Sequence, residues 1–245
     1  MAGPVLEAEG VTKRYGGLLA NDGVTMTLVP GEVRGLIGPN GAGKTTFVNL
    51  LTGFETLDAG RISLGGSDLT GLAANQIAAR GLVRTFQVAR VFANMSVREN
   101  LLLPFLAAGS PGGVLAGQTR ARELLVTGTL EHMAEEPASA LSGGQRMLLQ
   151  ACTGFMIPSA RLYVLDEPFA GINPVVKDIL IALIERENRN NGRAFLIVSH
   201  EMAIVRRLCP RVTVMIQGRV AAEGTLDEVA RRPEVVQAYL GGAAA

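Results

Sequence analysis

Apolar and polar residues follow one another along the chain in two different ways. Short apolar runs that end at turn residues predict strands, and longer runs with an apolar residue every three or four positions predict helices. The first third of the chain contains strands, the middle contains helices, and the last third alternates between the two. The predicted strands cover residues 6–12, 24–28, 32–37, 60–64, 82–86, 162–166, 194–199, 211–216 and 219–223.

The predicted helices include one long stretch without strands. Ser96 and Glu99 have the spacing of a capping box, and Ser142 precedes a further helix start. A run rich in glycine and proline at 109–117 predicts a loop between two of these helices. The predicted helices cover residues 46–52, 72–80, 97–106, 120–133, 143–157, 174–189 and 201–208. The pattern therefore predicts one α/β domain with an all-helical insert at about 97–157.

Composition excludes several classes of protein. Hydrophobic residues make up 48% of the 245 positions and charged residues 18%, which favours a folded core over disorder. The formal net charge of +1 argues against a protein that binds nucleic acid by neutralising its phosphates. The two cysteines, Cys152 and Cys209, are too few for a disulfide framework or a metal cluster, so we expect two core thiols.

One uncharged stretch, residues 100–119, has the length of a membrane-spanning helix. Prolines and glycines interrupt it, and their cluster predicts a loop rather than a membrane span. The first ten residues contain neither the basic segment nor the apolar run of a signal peptide. We therefore expect a soluble chain that meets a membrane only through a partner.

A glycine-rich segment between a predicted strand and a predicted helix matches the pattern G-x-x-x-x-G-K-[ST]. Its glycines allow successive backbone N–H groups to surround a phosphate chain, and the following helix adds the positive end of its dipole. Lys44 is expected to reach the β- and γ-phosphates of a nucleotide, and Thr45 to bind Mg²⁺. The predicted nucleotide-binding residues here are Gly38, Pro39, Asn40, Gly41, Ala42, Gly43, Lys44, Thr45 and Thr46.

Two carboxylates stand at the end of the apolar strand predicted at 162–166. Asp166 stands at the strand end, where it could hold Mg²⁺ directly or through water. Glu167 comes one residue later, where it could polarise a water molecule for in-line attack. Many strands end in acidic residues, but together with the upstream phosphate loop this pair indicates phosphoryl-transfer chemistry.

A second candidate anion site lies in the helical insert, at Ser142, Gly143, Gly144 and Gln145. A serine followed by two glycines at a helix start leaves backbone N–H groups that can face a phosphate. One bound nucleotide does not need two such helix starts, so the simplest explanation is that two chains share their nucleotides. A plain helix cap is the alternative explanation for the same residues.

Together these motifs resemble those of an ABC-type ATP-binding cassette. GPNGAGKTT, Gln87, LSGGQ, LYVLDE and His200 occur in the family's order, and the resemblance covers essentially the whole chain. It implies that Gln87 senses Mg²⁺ and the membrane subunit, that His200 contacts the γ-phosphate, and that Tyr15 stacks on adenine. It also implies that residues 170–173 cross a dimer interface. The implied catalytic residues are Glu167, His200 and Gln87, and the implied Mg²⁺ ligands are Thr45, Gln87 and Asp166.

Three of these residues also have an ordinary structural explanation. Tyr15 would then be a surface tyrosine, Gln87 a polar strand end and His200 a helix cap. The other histidine, His132, matches no motif of the family, and we expect it at the surface.

The resemblance implies a fold and a set of partners. The fold is that of a P-loop NTPase: a RecA-like α/β core with an antiparallel β subdomain at about 1–90 and 160–223, a helical subdomain at about 91–159 and a helical tail at about 224–245. The implied ligands are ATP and Mg²⁺. The implied partners are transmembrane permease subunits, a second cassette that is identical or different, and indirectly a solute-binding protein. No nucleic acid is implied, and the implied location is peripheral, on the cytoplasmic face of the inner membrane.

Three segments, residues 52–54, 84–87 and 236–241, are similar to the branched-chain amino acid uptake group, and the N-terminal half is similar to its G-type ATPase subunit. The signature residues and the short stretch between Gln87 and Leu141 depart from that group. The run at 166–171 and the C-terminal ending also resemble the lipopolysaccharide-export ATPase, which stays an alternative.

Two further alternatives are a non-transport ATPase of the superfamily, acting in DNA repair or translation, and a regulatory cassette without turnover. A single cassette without a cysteine cluster argues against the first alternative. The presence of both Glu167 and His200 argues against the second.

Overall fold

The computed structural model describes residues 3–85 and 90–240. Within these residues the strands are β1 (Leu6–Tyr15), β2 (Leu18–Leu28), β3 (Val33–Ile37), β4 (Ala59–Leu64), β5 (Ser67–Asp68), β6 (Leu82–Thr85), β7 (Leu162–Asp166), β8 (Ala194–Val198), β9 (Arg211–Ile216) and β10 (Arg219–Gly224). The helices are α1 (Lys44–Leu51), α2 (Ala74–Ala79), α3 (Val97–Ala107), α4 (Gly113–Thr127), α5 (Gly143–Phe155), α6 (Pro174–Asn191), α7 (Met202–Leu208), α8 (Leu226–Val229) and α9 (Pro233–Leu240).

An antiparallel sheet in the order β2-β1-β4-β5 forms one layer of the molecule. Its two long strands continue to a turn at Gly16 and Gly17, so both are longer than the apolar pattern predicts. The pairing register shifts between Val11 and Lys13 and again between Lys13 and Arg14. Such shifts interrupt the alternation of inward and outward side chains, which is the signal that the sequence prediction uses.

The second sheet has the order β10-β9-β3-β8-β7-β6, and all its neighbouring strands are parallel except β10 and β9. Strands β3, β7 and β8 are adjacent and parallel, so their carboxyl ends lie at the same edge. The phosphate loop follows β3, Asp166 ends β7, and His200 follows β8 by two residues. The topology therefore brings together three motifs that are far apart in the sequence.

Among the described residues, buried apolar side chains form two clusters on the two faces of the parallel sheet. Strand β8 shows the alternation: Leu196 and Val198 belong to one cluster, and Phe195 and Ile197 to the other. The first cluster includes Phe47 of α1 and the inner face of the antiparallel sheet. Helix α1 is therefore packed between the two sheets, which fixes the end of the phosphate loop.

The helical insert differs from its prediction at α4. This helix begins at Gly113, inside the run predicted as a loop, and it ends at Thr127, whereas residues 131–133 form a single turn of 3-10 helix. Gly117 faces the ring of Phe105 on α3, and a Cβ added there would lie 2.5 Å from the ring. A glycine that weakens the local helix preference thus permits close packing of two helices, which local preference does not predict.

Two smaller expectations, one about the cysteines and one about His132, are confirmed. Cys152 and Cys209 are buried free thiols, and burial raises the pKa of each to about 12. His132 is exposed. In the described part of the chain, no helix combines the length and the apolar character needed to cross a bilayer.

Candidate functional site

A cavity of about 930 Å³ opens at the carboxyl edge of the parallel sheet. The phosphate loop, the ends of β7 and β8, the β1–β2 hairpin and the turn between β9 and β10 form its walls. The sequence-predicted residues on these walls are Tyr15, Asn40, Gly41, Ala42, Gly43, Lys44, Thr45, Thr46, Asp166, Glu167 and His200. Residues from five separate segments of the chain thus meet at one site.

The phosphate loop takes its shape from glycines in the left-handed region of the backbone. The φ angle is 78° at Gly41 and 93° at Gly43, values that residues other than glycine rarely adopt. A Cβ at Gly43 would also lie 2.3 Å from the carbonyl oxygen of Ala20, so the loop approaches the β1–β2 hairpin closely. Helix α1 begins directly afterwards, at Lys44.

The ammonium group of Lys44 lies inside the loop. Its Nζ donates to the carbonyl oxygen of Gly38 at 2.7 Å and to that of Pro39 at 2.9 Å, and the residue is almost fully buried. Burial lowers the pKa of Lys44, and the nearby carboxylates of Glu167 and Asp166 oppose that shift. The two first residues of the motif therefore act here through their carbonyl groups, which hold the lysine.

Asp166 has a partner that sequence reasoning missed. Its Oδ2 accepts a hydrogen bond from Nη2 of Arg84 at 2.8 Å, and the same guanidinium donates to Asn49 at 2.7 Å. The side chains of Arg84 and Asp166 are 10% and 12% exposed, so this is a largely buried ion pair. The sequence feature that could have indicated this pair is the arginine inside the apolar strand β6, because a buried strand seldom carries an unpaired charge.

Glu167 has an unusual backbone and a close histidine. Its φ of 48° places it in the left-handed region, where glutamate is uncommon and strained. Oε1 of Glu167 lies 3.0 Å from Nε2 of His200, and Oε2 accepts a hydrogen bond from the His200 backbone N–H at 3.3 Å. The contact at Oε1 lacks hydrogen-bond alignment, and this buried oxygen has no hydrogen-bond partner among the described residues.

The acid–base property of Glu167 follows from its surroundings. Burial raises the pKa of Glu167, and the charges of His200 and Lys44 act in the opposite direction. A carboxylate with a raised pKa is suited to accept a proton.

The structure does not bring Ser142, Gly143, Gly144 or Gln145 to this cavity. Ser142 and Gln145 line a separate groove with Val175 and Val176 of α6. Ser142 Oγ accepts from the Gln145 backbone N–H at 3.3 Å, and Gln145 Oε1 accepts from the Ser142 backbone N–H at 2.9 Å. Within one chain these side chains form the capping box of α5, as the alternative explanation has it.

The remaining predicted residues have different outcomes. Tyr15 lies on the cavity wall with 45% exposure, and Nζ of Lys13 is 5.5 Å from its ring centre. Gln87 lies outside the described residues. Tyr239 of α9, which no motif indicated, lies close to the start of the phosphate loop: burial raises the pKa of Tyr239, and the backbone N–H of Gly38 partly offsets the rise.

The comparisons with known proteins agree with this geometry. Residues 21–170 match the profile of the ABC transporter family, and residues 219–245 match a profile described as branched-chain amino acid ATP-binding cassette transporter. The chain is 38% identical to the high-affinity branched-chain amino acid transport ATP-binding protein BraF of Pseudomonas aeruginosa, over 99% of this chain and 100% of the relative. It is equally similar to LivG of Escherichia coli, over the same shares of the two chains.

The fold leads to the same group. The ADP conformation of an ATP-binding cassette of an ABC transporter superposes with a TM-score of 0.82 and 31% identity, over 97% of this chain and 99% of that chain. Sequence, fold and the arrangement of the cavity agree, and the chain belongs to the ABC transporter family as one of its ATP-hydrolysing cassettes.

Proposed function

We propose that the cavity binds Mg·ATP and that Glu167 directs its hydrolysis to drive a membrane importer. The observation that carries the proposal is the convergence of the phosphate loop, Asp166, Glu167 and His200 on one cavity. In this assignment the backbone N–H groups of the loop and the ammonium of Lys44 bind the phosphates. The half-exposed ring of Tyr15 offers a stacking surface for the base.

The residues on the cavity wall fit a magnesium ion that is carried in by the nucleotide. Mg²⁺ prefers oxygen ligands and is commonly held by one or two protein groups together with substrate phosphates. Thr45 and Asp166 supply a hydroxyl and a carboxylate, and no cluster of three acidic, cysteine or histidine residues suited to a metal occurs within 3–85 and 90–240. Gln87 is the third proposed ligand. When bound, the ion supplies positive charge that stabilises the phosphate oxygens during transfer.

Glu167 is the proposed general base. In this role its carboxylate would accept a hydrogen bond from a water molecule, orient that molecule for in-line attack and take up its proton. His200 is 49% exposed at the mouth of the cavity, where it can contact the γ-phosphate while Glu167 keeps it in place. Asp166 is given no part in proton transfer in this mechanism, because its carboxylate is already paired with Arg84.

A second cassette completes the site in this proposal. The signature residues Ser142–Gln145 lie away from the cavity of their own chain, and their helix start leaves the N–H groups of Gly143 and Gly144 without intrahelical partners. These groups would bind the nucleotide held by the phosphate loop of the opposing chain. Closure around ATP and reopening after hydrolysis would then be the mechanical step.

The helical insert is the proposed docking surface for transmembrane permease subunits. It exposes apolar side chains that a folded core would normally cover: Phe92, Leu103, Leu106, Val114 and Leu115. A permease docked there would hold the cassette at the cytoplasmic face of the membrane, and a solute-binding protein would act on the far side. The relatives' names state transport of branched-chain amino acids, which supports these amino acids as the transported class; import is the direction that we propose.

Uptake measured in cells tests the transport part of the proposal. In cells that lack this chain, the parent sequence supplied from a plasmid restores uptake of labelled leucine, isoleucine and valine, whereas Glu167→Gln does not. Uptake of an unrelated solute, such as labelled proline, is the control and stays constant. Branched-chain uptake that is independent of the chain, with ATPase activity intact, would contradict the assigned substrate class.

A further inference from the structure

The outer side of the phosphate loop is held by a side chain that no motif includes. Asn21 on β2 is fully buried, and its Nδ2 donates to the carbonyl oxygen of Gly43 at 3.2 Å. The same oxygen also accepts the backbone N–H of Phe47 at 2.9 Å, the first hydrogen bond of α1. The carbonyl of Gly43 is therefore held from two directions.

The neighbouring peptide of the loop is held in a similar way. The backbone N–H of Gly218, in the turn between β9 and β10, donates to the carbonyl oxygen of Ala42 at 3.0 Å. The carbonyl oxygen of Gly218 in turn accepts the backbone N–H of Asp22 at 2.9 Å, and Asp22 pairs with Arg219. The β1–β2 hairpin, the phosphate loop and the β9–β10 turn thus form one hydrogen-bonded junction.

The geometry of the peptide bond links this junction to phosphate binding. In a trans peptide the C=O of one residue and the N–H of the next point in opposite directions. Bonds that draw the carbonyls of Ala42 and Gly43 outwards therefore turn the N–H groups of Gly43 and Lys44 the other way, and both residues line the cavity. We propose that Asn21 is a positioning residue, which orients the phosphate-binding N–H groups of the loop through the carbonyl of Gly43.

A purely structural role for Asn21 makes a different prediction. Its Oδ1 is buried and has no hydrogen-bond partner among the described residues, which disfavours the folded state. Valine suits a strand well, and after Asn21→Val the Gly43 carbonyl would keep its bond from Phe47. If Asn21 only filled space, this substitution would be neutral or stabilising, and it would leave nucleotide binding unchanged.

The experiment compares ATP affinity with stability in the full-length chain. Asn21→Val is expected to keep the thermal midpoint of the nucleotide-free protein within about 2 °C of the parent, or to raise it. Its dissociation constant for ATP, measured by calorimetry, is expected to rise about three- to tenfold, the effect of one lost hydrogen bond. The rate at saturating ATP should change less than about twofold, because Glu167 and His200 are untouched.

A second variant and a matched control complete the test. Asn21→Asp keeps the shape but lacks the donor and directs a carboxylate at the Gly43 carbonyl, so ATP binding should weaken more than in Asn21→Val. Ser63→Ala also removes a buried hydrogen-bonding side chain from the antiparallel sheet, at a position that does not line the cavity, and should leave ATP affinity unchanged.

Three results would overturn the inference. They are parent-like ATP affinity in Asn21→Val, an equal loss of affinity in Ser63→Ala, and a loss of affinity that only accompanies a large fall in the thermal midpoint. Because the parent chain is titrated alongside, failure of the parent to bind ATP would instead refute the proposed function.

Discussion

The phosphate loop and the signature residues Ser142–Gln145 both lie at a helix start rich in glycine, yet the chain builds them in different ways. The loop is held by hydrogen bonds from distant segments, through Asn21 and Gly218, and it faces carboxylates from β7. The signature helix start is capped by its own neighbours and opens onto a separate groove. The fold holds the phosphate loop in place, whereas the signature residues form a local cap whose ligand, in the proposed function, is the nucleotide of another chain.

Glu167→Gln is expected to cause the largest loss of activity, and it alters only the region of the phosphate loop. The amide keeps the shape of the carboxylate but cannot accept a proton, so turnover should fall by about 10²- to 10⁴-fold. ATP binding should persist, because the phosphate loop is unchanged, and the ATP-bound chains should accumulate as a dimer. Steady-state hydrolysis and light scattering with and without ATP measure both effects. Hydrolysis near the parent rate would show that the role assigned to Glu167 is wrong.

Arg84→Ala tests how strongly the phosphate-loop region depends on its buried ion pair. Removing one member of a largely buried pair leaves Asp166 without its partner, so the free energy of unfolding should fall by about 3–5 kcal/mol. Arg61→Ala is the matched control, because its pair with Asp68 is more than half exposed and should contribute less than about 1 kcal/mol. Urea denaturation of both variants measures the difference, and equal losses would contradict a special role for Arg84.

Ser142→Ala and Ser96→Ala compare two capping boxes of the same type. Ser96 caps α3 with Glu99 as Ser142 caps α5 with Gln145, so each substitution should cost about 1 kcal/mol of stability. Only Ser142→Ala should also lower the ATPase rate of the dimer, because in the proposed function only that helix start binds a nucleotide. Equal ATPase rates in the two variants would show that the signature residues act only as a helix cap.

The smallest effect is the pH dependence of stability at Glu167. A raised pKa means that the folded chain binds this proton more tightly than the unfolded chain, so the ionised carboxylate destabilises the fold above that pKa. Glu167→Gln should therefore melt higher than the parent at pH 8, and the difference should shrink as the pH falls towards 4.5. Glu135→Gln, at a largely exposed carboxylate, is the control. A difference that stays constant with pH would contradict the raised pKa.

Sequence patterns predicted the parts of the site that consecutive residues build. The phosphate loop, the carboxylates after β7 and the histidine after β8 lie on one cavity because parallel strands end at one edge. Asn21, Arg84 and Tyr239 were not predicted, since each acts through a contact with a distant segment that no local spacing encodes. The predicted start of α4 was wrong for the same reason. The packing of Gly117 against Phe105, a contact between two helices, overrides the low helix preference of the glycine-rich segment.

A mixing experiment tests most directly whether two chains build each site. Lys44→Ala disables the phosphate loop and Ser142→Arg blocks the signature by its size, so each variant alone should lose several hundred-fold in rate. A mixed dimer contains one site with an intact loop facing an intact signature, and one site with neither. If the natural partner is a different cassette, one substitution is placed on each chain. Two-chain sites predict partial recovery of ATPase activity on mixing. No recovery, with mixed dimers shown to form, would mean that Ser142 serves its own chain.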